Sequence, residues 1–549
     1  MPPAPRRRRE ILQEAGRHDE ETTVGSGRVR TIALLLLSAL PPTLEGAAVA
    51  ALGFQAARGL APQASAVWPY HVYHDMRWLL VYHNSIPGFA VELLAVTLLR
   101  GLYSAALVAL SWPAEVPRPP PRWLIRRNVE IAALAMVVVS PWAAFSVAFA
   151  TVTLAWFLLA SLVPMLILSP FLIRAGTVSH WWRGLPSGQL VGWSALNLVL
   201  LTLAGACAAS VPGWWAVPVV AVAGAANGLI RRRTVHEAVL PGRMRWARVP
   251  VAPLAIVLIM VLAVLTQAVV GIAGRGTRGE WQPPMVTRPL PAQVRHAVIA
   301  IAGHDSGYDG RQPVDPRVER FSYRGLDGQG RPVPYHPKDT HRSLESSAAL
   351  LAAQVAAVHR RTGRPVALIG QSEGAMVVVT YLKASPGSPV DAAVLFSPLL
   401  RPGRSYYPPP QARSGWGVVG GWELRWMIGL ANLVRENDQN ADEPFIRSLL
   451  DRGPFYRNYA LCPVPGVRMV AFLPTSSAVE APPGQYAGIP VVQRPGFHGA
   501  ILYQEPVQEE IQAVLAGATL HQRRREYDVL QQLAAAWQAP PLAIRLNPV

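Results

Sequence analysis

The feature that most constrains this chain is a series of apolar runs, all of which fall before residue 275. A helix needs about 20 apolar residues to cross the hydrocarbon core of a bilayer. The runs predict about seven transmembrane helices, at about 31–55, 86–112, 129–149, 150–173, 189–210, 213–230 and 249–273. We therefore expect a multi-pass α-helical membrane domain over residues 31–274, after a basic cytoplasmic tail at 1–30.

The composition supports this interpretation. Of 549 residues, 51% are hydrophobic and only 15% are charged, with a net charge of +18, whereas roughly a quarter of the residues of a soluble domain are charged. The basic residues cluster in short loops beside the apolar runs, so we expect the bilayer as a partner and no nucleic acid. Two cysteines, Cys207 and Cys462, provide neither a disulfide framework nor a thiolate metal site.

The apolar run at 129–173 has no charged residue after Glu130. As a single helix it would be about 67 Å long, twice the hydrocarbon thickness of a bilayer. It must therefore form a hairpin. We expect the turn at Ser140-Pro141-Trp142, because proline breaks the helical ladder and tryptophan prefers the membrane interface.

Arginines flank the predicted spans unevenly, since they precede the first span and follow the second, fourth and sixth. Positively charged loops stay cytoplasmic. The seven spans thus predict a plasma-membrane protein with a cytoplasmic N-terminus and an extracytoplasmic C-terminal domain. The sequence Ala48-Val49-Ala50 leaves open that the first span is a cleaved signal peptide. Six spans with the same orientation would then remain.

Two ionisable residues lie within predicted spans, Glu45 in the first and Arg100 in the second. They lie at similar depth, and unpaired charges inside a membrane are costly, so we expect them to form an ion pair. The pair would either fix the packing of the two helices or belong to a substrate or proton path.

The predicted outer loop between these spans is rich in aromatic residues and also contains His71, His74 and Asp75, with His83 nearby. Two histidines one helical turn apart permit a metal site. An aromatic belt at the membrane interface accounts for more of the residues, so we expect no metal there.

The pattern changes after a linker at 275–291, because short β-branched runs alternate with amphipathic stretches from 292 to 549. This alternation is typical of βαβ units and a parallel sheet. Strands are predicted at 296–302, 366–369, 392–396, 467–473 and 489–493, and a helix at 343–361. The second half is therefore predicted to be an α/β domain.

The second predicted strand runs into Gly370-Gln371-Ser372-Glu373-Gly374 and then into an apolar helical stretch. A Gly-x-Ser-x-Gly sequence between a strand and a helix forms a sharp turn with no room for side chains at its flanks, hence Gly370 and Gly374. The turn presents the serine hydroxyl at a helix N-terminus, where backbone N–H groups can stabilise an oxyanion. We predict that Ser372 is a nucleophile.

A nucleophilic serine needs a base, which in a turn of this type follows the serine and an acid in chain order. The only histidines after Ser372 are His498 and His521. His498 directly follows the last predicted strand, in the sequence Gly-Phe-His-Gly, whereas His521 lies in a charged helical segment. We expect His498 to be the base.

In its order of elements, its serine turn and its Gly-Phe-His-Gly loop, the region 292–530 resembles the α/β-hydrolase family. The resemblance implies a mostly parallel eight-stranded sheet, with Ser372 as nucleophile and His498 as base. It also implies an oxyanion hole formed by the backbone N–H of Glu373 and by the loop 303–306, where His304 is the expected donor. It implies no metal and no organic cofactor.

The resemblance further implies an acid soon after the strand that ends at residue 473, where the family usually has aspartate. The segment contains no aspartate, and Glu480 is the only carboxylate between Asp451 and His498. Glu480 is therefore the expected acid. The orienting role could instead fall to Ser477, to a carboxylate of another segment, or to no residue.

An insertion at about 399–466 separates two predicted strands and would cover the serine as a cap. Its aromatic residues either line an apolar pocket for an acyl chain or pack in a core, and the sequence favours neither. They are Tyr406, Tyr407, Trp416, Trp422, Trp426 and Phe445. Asp438, Asp442 and Glu443 are expected to be solvated.

Together these features predict a membrane-anchored extracytoplasmic serine hydrolase, esterase- or lipase-like, or an acyltransferase. It would act through an acyl-enzyme on an ester, such as a lipid or envelope component. The alternative is a transport or sensing membrane protein whose hydrolase-like domain binds a ligand or partner without turnover. The absent aspartate and the expected Glu45–Arg100 pair favour the alternative.

Overall fold

A computed structural model describes residues 5–152, 156–240, 249–259, 281–400, 402–435, 440–475, 488–496, 498–521 and 528–542. The chain divides into two compact units. The first unit comprises Met1–Asp75, Leu93–Ser140 and Pro164–Leu258, and the second comprises Met76–Glu92, Pro141–Val163 and Ile259–Val549. Long helices make up most of the first unit, whereas the second contains a parallel sheet.

Apolar helices dominate the chain up to residue 259. They are α1 (Pro5–Ala51), α2 (Tyr70–Val81), α3 (Ile86–Ser111), α4 (Pro121–Val152), α5 (Trp156–Ala175), α6 (Gly188–Ser210), α7 (Ala216–Val239) and α8 (251–259). Among the described residues, five segments are long and apolar enough to cross a membrane: Gly27–Ala51, Ile86–Ser111, Pro121–Ala148, Gly188–Ser210 and Gly213–Val239. Five predicted spans are thereby confirmed, and the chain is a membrane protein.

Two predicted spans overlap residues that the structure does not describe. The span predicted at 150–173 corresponds to α5, in which Leu162–Ala175 is a shorter apolar helix. Most of the span predicted at 249–273 lies outside the described residues, and α8 covers its start.

The turn predicted at Ser140-Pro141-Trp142 is wrong, because α4 continues through all three residues. Proline removes one intrahelical hydrogen bond, but membrane helices tolerate it where neighbouring groups satisfy the freed carbonyl. α4 ends at Val152 and α5 begins at Trp156, and residues 153–155 between them are not among the described residues.

Glycines set the packing of α1 against α7. A Cβ atom on Gly224 would lie 2.7 Å from the Ala39 Cα and 2.8 Å from the Ser38 carbonyl oxygen. A Cβ atom on Gly228 would lie 2.8 Å from the Ser38 Oγ. Small residues four apart let membrane helices approach closely and pack backbone against backbone.

A 3₁₀ segment, Gln55–Ser65, packs against α1, α6 and α7 and is buried from residue 57 onward. Backbone groups at such a site need internal hydrogen-bond partners, since an unpaired group costs several kcal/mol. Side chains of the spanning helices donate to carbonyls in and just after this segment. The pairs are Asn227 with Pro62, Arg100 with Ala64 and Arg231 with Ala66. The region predicted as an outer loop is thus partly built into the helical unit.

The predicted aromatic belt is not observed, because Trp68, Tyr70 and Tyr73 are fully buried. The metal interpretation of this region gains no support either. His83 Nδ1 donates to the Leu79 carbonyl at 2.6 Å, and its Nε2 accepts from the Val419 N–H at 2.8 Å.

Glu45 and Arg100 do not pair directly, so that prediction is wrong. Arg100 binds the Asp75 carboxylate through two nitrogens, with Nη2 2.6 Å from Oδ1. Glu45 Oε1 lies 2.9 Å from His74 Nε2, and His74 Nδ1 lies 3.1 Å from Asp75 Oδ1. The four side chains form one ion chain, Glu45–His74–Asp75–Arg100, whose middle members are buried and whose end members are 19% and 13% exposed. Its middle members, His74 and Asp75, lie in the segment predicted as an outer loop, so the sequence did not indicate that they connect Glu45 with Arg100.

Six strands form one sheet in the second unit, in the order β2-β1-β3-β4-β5-β6, and every neighbouring pair is parallel. They are β1 (Ala297–Ile301), β2 (Val318–Arg320), β3 (Val366–Gln371), β4 (Val390–Phe396), β5 (Arg468–Pro474) and β6 (Val491–Arg494). The five predicted strands are confirmed. The sequence does not reveal β2, because two of its three residues are charged. The described residues form six strands, where the family resemblance implies eight.

Helices cover both faces of this sheet, as a parallel sheet requires. The described helices after residue 259 are α9 (Pro284–Thr287), α10 (Leu344–Thr362), α11 (Glu373–Ala384), α12 (Val418–Arg435), α13 (Pro444–Asp451), α14 (Gly453–Tyr459), α15 (Glu505–Leu515) and α16 (Asp528–Ala534). Alternate β1 side chains enter two clusters, one with α10 and α11 and one with α9 and α15. The predicted helix at 343–361 is confirmed as α10, whose N-cap is Ser343 and which ends at Gly363, at φ +63°.

Asp75→Asn is expected to lower the free energy of unfolding by about 3–5 kcal/mol, because Arg100 would keep a buried charge without its carboxylate. Denaturant unfolding of the full chain in detergent micelles, followed by tryptophan fluorescence, measures this loss. Glu92→Gln is the control, since it removes an exposed carboxylate from the helix that carries Arg100. Equal losses in the two variants would contradict the buried pair.

Candidate active site

The strand order brings two loops together at one edge of the sheet. β2 lies on one side of β1, whereas β3 to β6 follow on the other, so the winding direction reverses between β1 and β3. In open parallel sheets, ligands bind beyond the carboxyl ends of the strands at such a reversal. The loop after β1 contains His304, and the turn after β3 contains Ser372. The sequence-predicted nucleophile therefore lies at the position that this topology favours for a ligand.

Ser372 has a positive φ, with φ +55° and ψ −115°. A residue with a side chain adopts positive φ only where its surroundings impose it, often at functional sites. Here the Ser372 N–H donates to the Phe396 carbonyl at 2.8 Å, which anchors the turn to the neighbouring strand. The serine is thus held between β3 and the first turn of α11.

The two glycines of the motif make the turn possible. A Cβ atom on Gly370 would lie 2.5 Å from the Gly374 carbonyl oxygen, and one on Gly374 would lie 2.5 Å from the Ile301 carbonyl oxygen. Real Cβ atoms do not approach backbone this closely. The flanking positions therefore admit only glycine without a shift of the backbone.

His498 lies against the serine hydroxyl, with Nε2 2.8 Å from Ser372 Oγ. The two residues are 126 positions apart in the chain, and the loop after β6 brings them together. Burial lowers the pKa of His498 to about 4. The ring is therefore neutral near pH 7, as proton acceptance from a serine requires.

The third member of the predicted triad, Glu480, lies outside the described residues, as does its alternative Ser477. His498 Nδ1 is buried and has no hydrogen-bond partner within the part of the chain that the structure describes. An orienting acid accepts a hydrogen bond from the N–H at this ring position. The identity of the acid stays a prediction.

Gln371 positions the histidine loop, a role that sequence reasoning missed. Its Nε2 donates to the Gly499 carbonyl at 3.0 Å, and its Oε1 accepts from the Trp281 indole N–H. The residue before the serine thus holds the loop that carries His498. The motif itself leaves this position unspecified, so the sequence offered no signal for it.

The expected oxyanion donors lie beside the serine. Glu373 is the first residue of α11, and N–H groups of a first helical turn have no intrahelical partner. The loop after β1 passes close by, since a Cβ atom on Gly303 would lie 3.7 Å from Ser372 Oγ. The geometry is compatible with both donors, and their roles remain predictions.

The side chains of Glu373 and His304 belong to a second group of polar residues, which we name the His–carboxylate cluster. It comprises His304, Asp305, His341, Glu373 and Glu443. His304 lies between Glu373 Oε2, 3.1 Å from Nδ1, and Glu443 Oε1, 3.0 Å from Nε2. His341 lies between Glu443 Oε2, 3.0 Å from Nδ1, and Asp305 Oδ1, 2.8 Å from Nε2. Every ring nitrogen in the cluster therefore contacts a carboxylate.

This arrangement shifts the pKa of every member. Burial opposes the charged ring of His304, but hydrogen bonds and charges of the two glutamates raise its pKa well above 6.5. Hydrogen bonds that the His341 ring donates to Asp305 and Glu443 raise the pKa of His341 to about 9. Burial raises the pKa of Glu373 to about 7. Burial also opposes ionisation of Asp305 and Glu443, but hydrogen bonds from the histidines lower both pKa values.

The expectation that Glu443 is solvated is wrong, because its side chain is buried between the two histidines. Asp442 is not solvated either, since its side chain is only 11% exposed and accepts a hydrogen bond from Arg425 Nη2 at 2.9 Å. Asp438 lies outside the described residues. Four distant chain segments meet in the cluster, and the sequence alone gives no sign of that meeting.

Four of the six aromatic residues of the insertion fall into two groups, and Tyr406 and Trp416 are partly exposed. Tyr407 and Phe445 are buried in packing clusters, and Phe445 stacks on His304 with ring centroids 4.8 Å apart. Trp422 and Trp426 on α12 are 60% and 57% exposed. Packing therefore accounts for the first group, and the second group lies on the surface.

Comparison with known proteins adds no family to this description. No protein-family model matches the chain, and no curated protein matches it. What the chain does is therefore argued from the geometry of its own residues.

Gly374→Ala is expected to cost about 1–3 kcal/mol of stability or to prevent folding, because the added methyl group meets the Ile301 carbonyl. Thermal unfolding of the full chain in micelles measures the change. Gly328→Ala is the matched control, since a Cβ atom there meets nothing within 4 Å. Unchanged unfolding of the Gly374 variant would refute the close approach at the turn.

Proposed function

We propose that this chain is a membrane-anchored serine hydrolase of the α/β-hydrolase type, esterase- or lipase-like, or an acyltransferase. The observation that carries the proposal is the 2.8 Å contact between Ser372 Oγ and His498 Nε2. It occurs at a serine with φ +55°, between a parallel strand and a helix. A neutral imidazole at this distance can take the hydroxyl proton as the oxygen attacks a carbonyl.

The proposed reaction begins when Ser372 Oγ attacks the carbonyl carbon of an ester and its proton passes to His498 Nε2. Backbone N–H groups of Glu373 and of the loop after β1 stabilise the oxyanion. His498 then returns the proton to the leaving alcohol, which leaves an acyl group on Ser372. Water or an acceptor hydroxyl resolves the acyl-enzyme, with the same ring acting as base.

An exposed apolar face of α12 favours a lipid ester as substrate. Trp422, Trp426, Leu430 and Leu433 are 60%, 57%, 41% and 81% exposed and recur at spacings of three and four residues. Helices with tryptophan and leucine on one face bind at the boundary between lipid headgroups and acyl chains. Such a face would bring the serine domain to a lipid surface.

Wild-type protein is expected to react covalently with a fluorophosphonate probe, whereas Ser372→Ala should abolish labelling. His498→Ala should slow labelling by two orders of magnitude or more, because the serine loses its base. In-gel fluorescence of the purified full chain in micelles measures the rate.

Ser346→Ala is the control for this experiment, because Ser346 is an exposed serine of α10. Its labelling should equal that of the wild type. Failure of the folded wild type to label, or equal labelling of Ser372→Ala, would refute the hydrolase proposal.

A second candidate function is transport or sensing by the membrane unit. The observation that favours it is the ion chain Glu45–His74–Asp75–Arg100, since ionisable groups within membrane helices often mark ion or proton paths. The serine domain would then bind a ligand or partner without turnover. Absence of fluorophosphonate labelling in folded protein would favour this candidate.

We also propose that the basic ends of the spanning helices face the cytoplasm of a plasma membrane. Three contacts support a common location for these ends in the first unit. They are Arg30 with the Ala109 carbonyl at 3.2 Å, Arg127 with the Ala175 carbonyl at 2.8 Å and Arg232 with Thr31 Oγ1 at 3.0 Å. Positive ends stay cytoplasmic. An odd number of spans, as predicted from the sequence, then leaves the α/β domain outside.

Protease added to intact cells that express the chain is expected to digest the α/β domain and to spare the spanning helices. Immunoblotting with an antibody against residues 344–362 measures the loss. Cells permeabilised with detergent provide the control for protease access. Full protection in intact cells, followed by digestion after permeabilisation, would reverse the proposed orientation.

A further inference from the structure

The His–carboxylate cluster has no role for its side chains in the reaction proposed for Ser372 and His498. Its members come from separate segments of the second unit. His304 and Asp305 follow β1, and His341 ends the 3₁₀ segment Pro337–His341. Glu443 precedes α13, and Glu373 begins α11. Two imidazoles and three carboxylates meet there.

Three ligand atoms of the cluster have the spacing of a metal site. His304, His341 and Asp305 each offer one ligand atom, and the three atoms lie within 4.8 Å of one another. Asp305 Oδ1 is 4.0 Å from His304 Nε2 and 2.8 Å from His341 Nε2. Around tetrahedral zinc, with bonds of about 2.0–2.1 Å, ligand atoms lie about 3.4 Å apart. Small side-chain movements would therefore bring all three atoms to one ion.

The opposite ring nitrogens have the partners that metal-binding histidines need. Glu373 Oε2 lies 3.1 Å from His304 Nδ1, and Glu443 Oε2 lies 3.0 Å from His341 Nδ1. A carboxylate on one ring nitrogen fixes the orientation of the ring and directs the other nitrogen to a metal. Both Nε2 atoms are thus oriented toward Asp305 or Glu443.

Two carboxylates of the cluster lack hydrogen bonds that such groups usually make, and one residue of the cluster has a positive φ. Glu443 occupies the N-cap of α13 but its side chain makes no capping hydrogen bond. Glu373 is fully buried, and its Oε1 has no hydrogen-bond partner among the described residues. Asp305 has a left-handed backbone, at φ +57°. Stacking of His304 between His341 and Phe445, with centroids 4.7 and 4.8 Å apart, further fixes the rings.

We propose that His304, His341 and Asp305, with Glu443 as a fourth ligand, bind one divalent transition-metal ion of the zinc type. Imidazole nitrogens and carboxylate oxygens suit zinc, whereas calcium and magnesium take oxygen ligands. The ion would join the loop after β1, the 3₁₀ segment and the start of α13. This site goes beyond the proposed hydrolase function and does not depend on it.

Isothermal titration of the chelator-treated full chain with zinc chloride, in detergent micelles, tests the proposal. Wild type is expected to bind one Zn²⁺ per chain, and its unfolding temperature should rise with zinc. His341→Ala and Asp305→Asn should each weaken binding at least tenfold. Asparagine tolerates positive φ, so the Asp305 variant keeps the backbone preference of the loop.

Two controls carry the same chemical changes at other sites. His359→Ala alters a histidine at the end of α10, and Asp327→Asn alters an aspartate in a surface turn. Both should bind zinc as the wild type does. Glu443→Gln should weaken binding by about 10–100-fold, whether it ligates the ion or orients His341. Magnesium and calcium should leave the unfolding temperature unchanged.

No zinc binding by the folded wild type, or equal affinity in the wild type and Asp305→Asn, would overturn the proposal. If His341→Ala fails to fold, the zinc affinity of Asp305→Asn tests the proposal. Ser372→Ala should bind zinc normally, because Ser372 is not a ligand. Loss of fluorophosphonate labelling and loss of zinc binding are therefore separate results, and either proposal can fail alone.

Discussion

The constraint on which both units depend is that a backbone polar group removed from water must find a partner inside the protein. In the first unit, the 3₁₀ segment Gln55–Ser65 is buried among spanning helices, so side chains must supply its hydrogen bonds. Arg100 donates to the Ala64 carbonyl and therefore needs a counter-charge, which Asp75 provides. Asp75 in turn contacts His74, and His74 contacts Glu45, so the need for a counter-charge extends into the ion chain. In the second unit, hydrogen bonds between parallel strands pair the backbone groups of the sheet, so charged side chains are not needed for that purpose.

Close backbone approach determines the serine site. Gly370 and Gly374 let β3 turn directly into α11, and the turn holds Ser372 in a strained conformation. The winding reversal between β1 and β3 brings the loop of His304 to the same edge, and the loop after β6 adds His498. The turn that requires both glycines is therefore the same turn that places the Ser372 hydroxyl 2.8 Å from His498 Nε2.

Histidines flanked by carboxylates occur in both units, and their surroundings differ. His74 lies between Glu45 and Asp75, within the apolar helices. His304 and His341 lie in a cluster whose Asp305 side chain is 48% exposed, so ions can reach it from solvent. The first arrangement suits internal charge balance or proton movement, whereas the second suits a metal ion. Both lie outside the Ser372–His498 contact, so the chain has three separate sites for experiment.

Local patterns in the sequence were sufficient for five spanning segments, five strands and α10, because hydrophobic periodicity and turn chemistry act over a few residues. They also singled out Ser372 and His498, which are in contact in the structure, and the catalytic roles of these two residues stay predictions. They failed at Pro141, which α4 accommodates, and at β2, which is short and charged. Local patterns also did not predict which side chains pair. Arg100 pairs with Asp75, and Glu443 pairs with His304 and His341. A sequence determines which residues prefer to be buried, helical or extended. Only the tertiary structure decides which charged groups meet, because the cost of burying a charge depends on neighbours that lie far away in the chain.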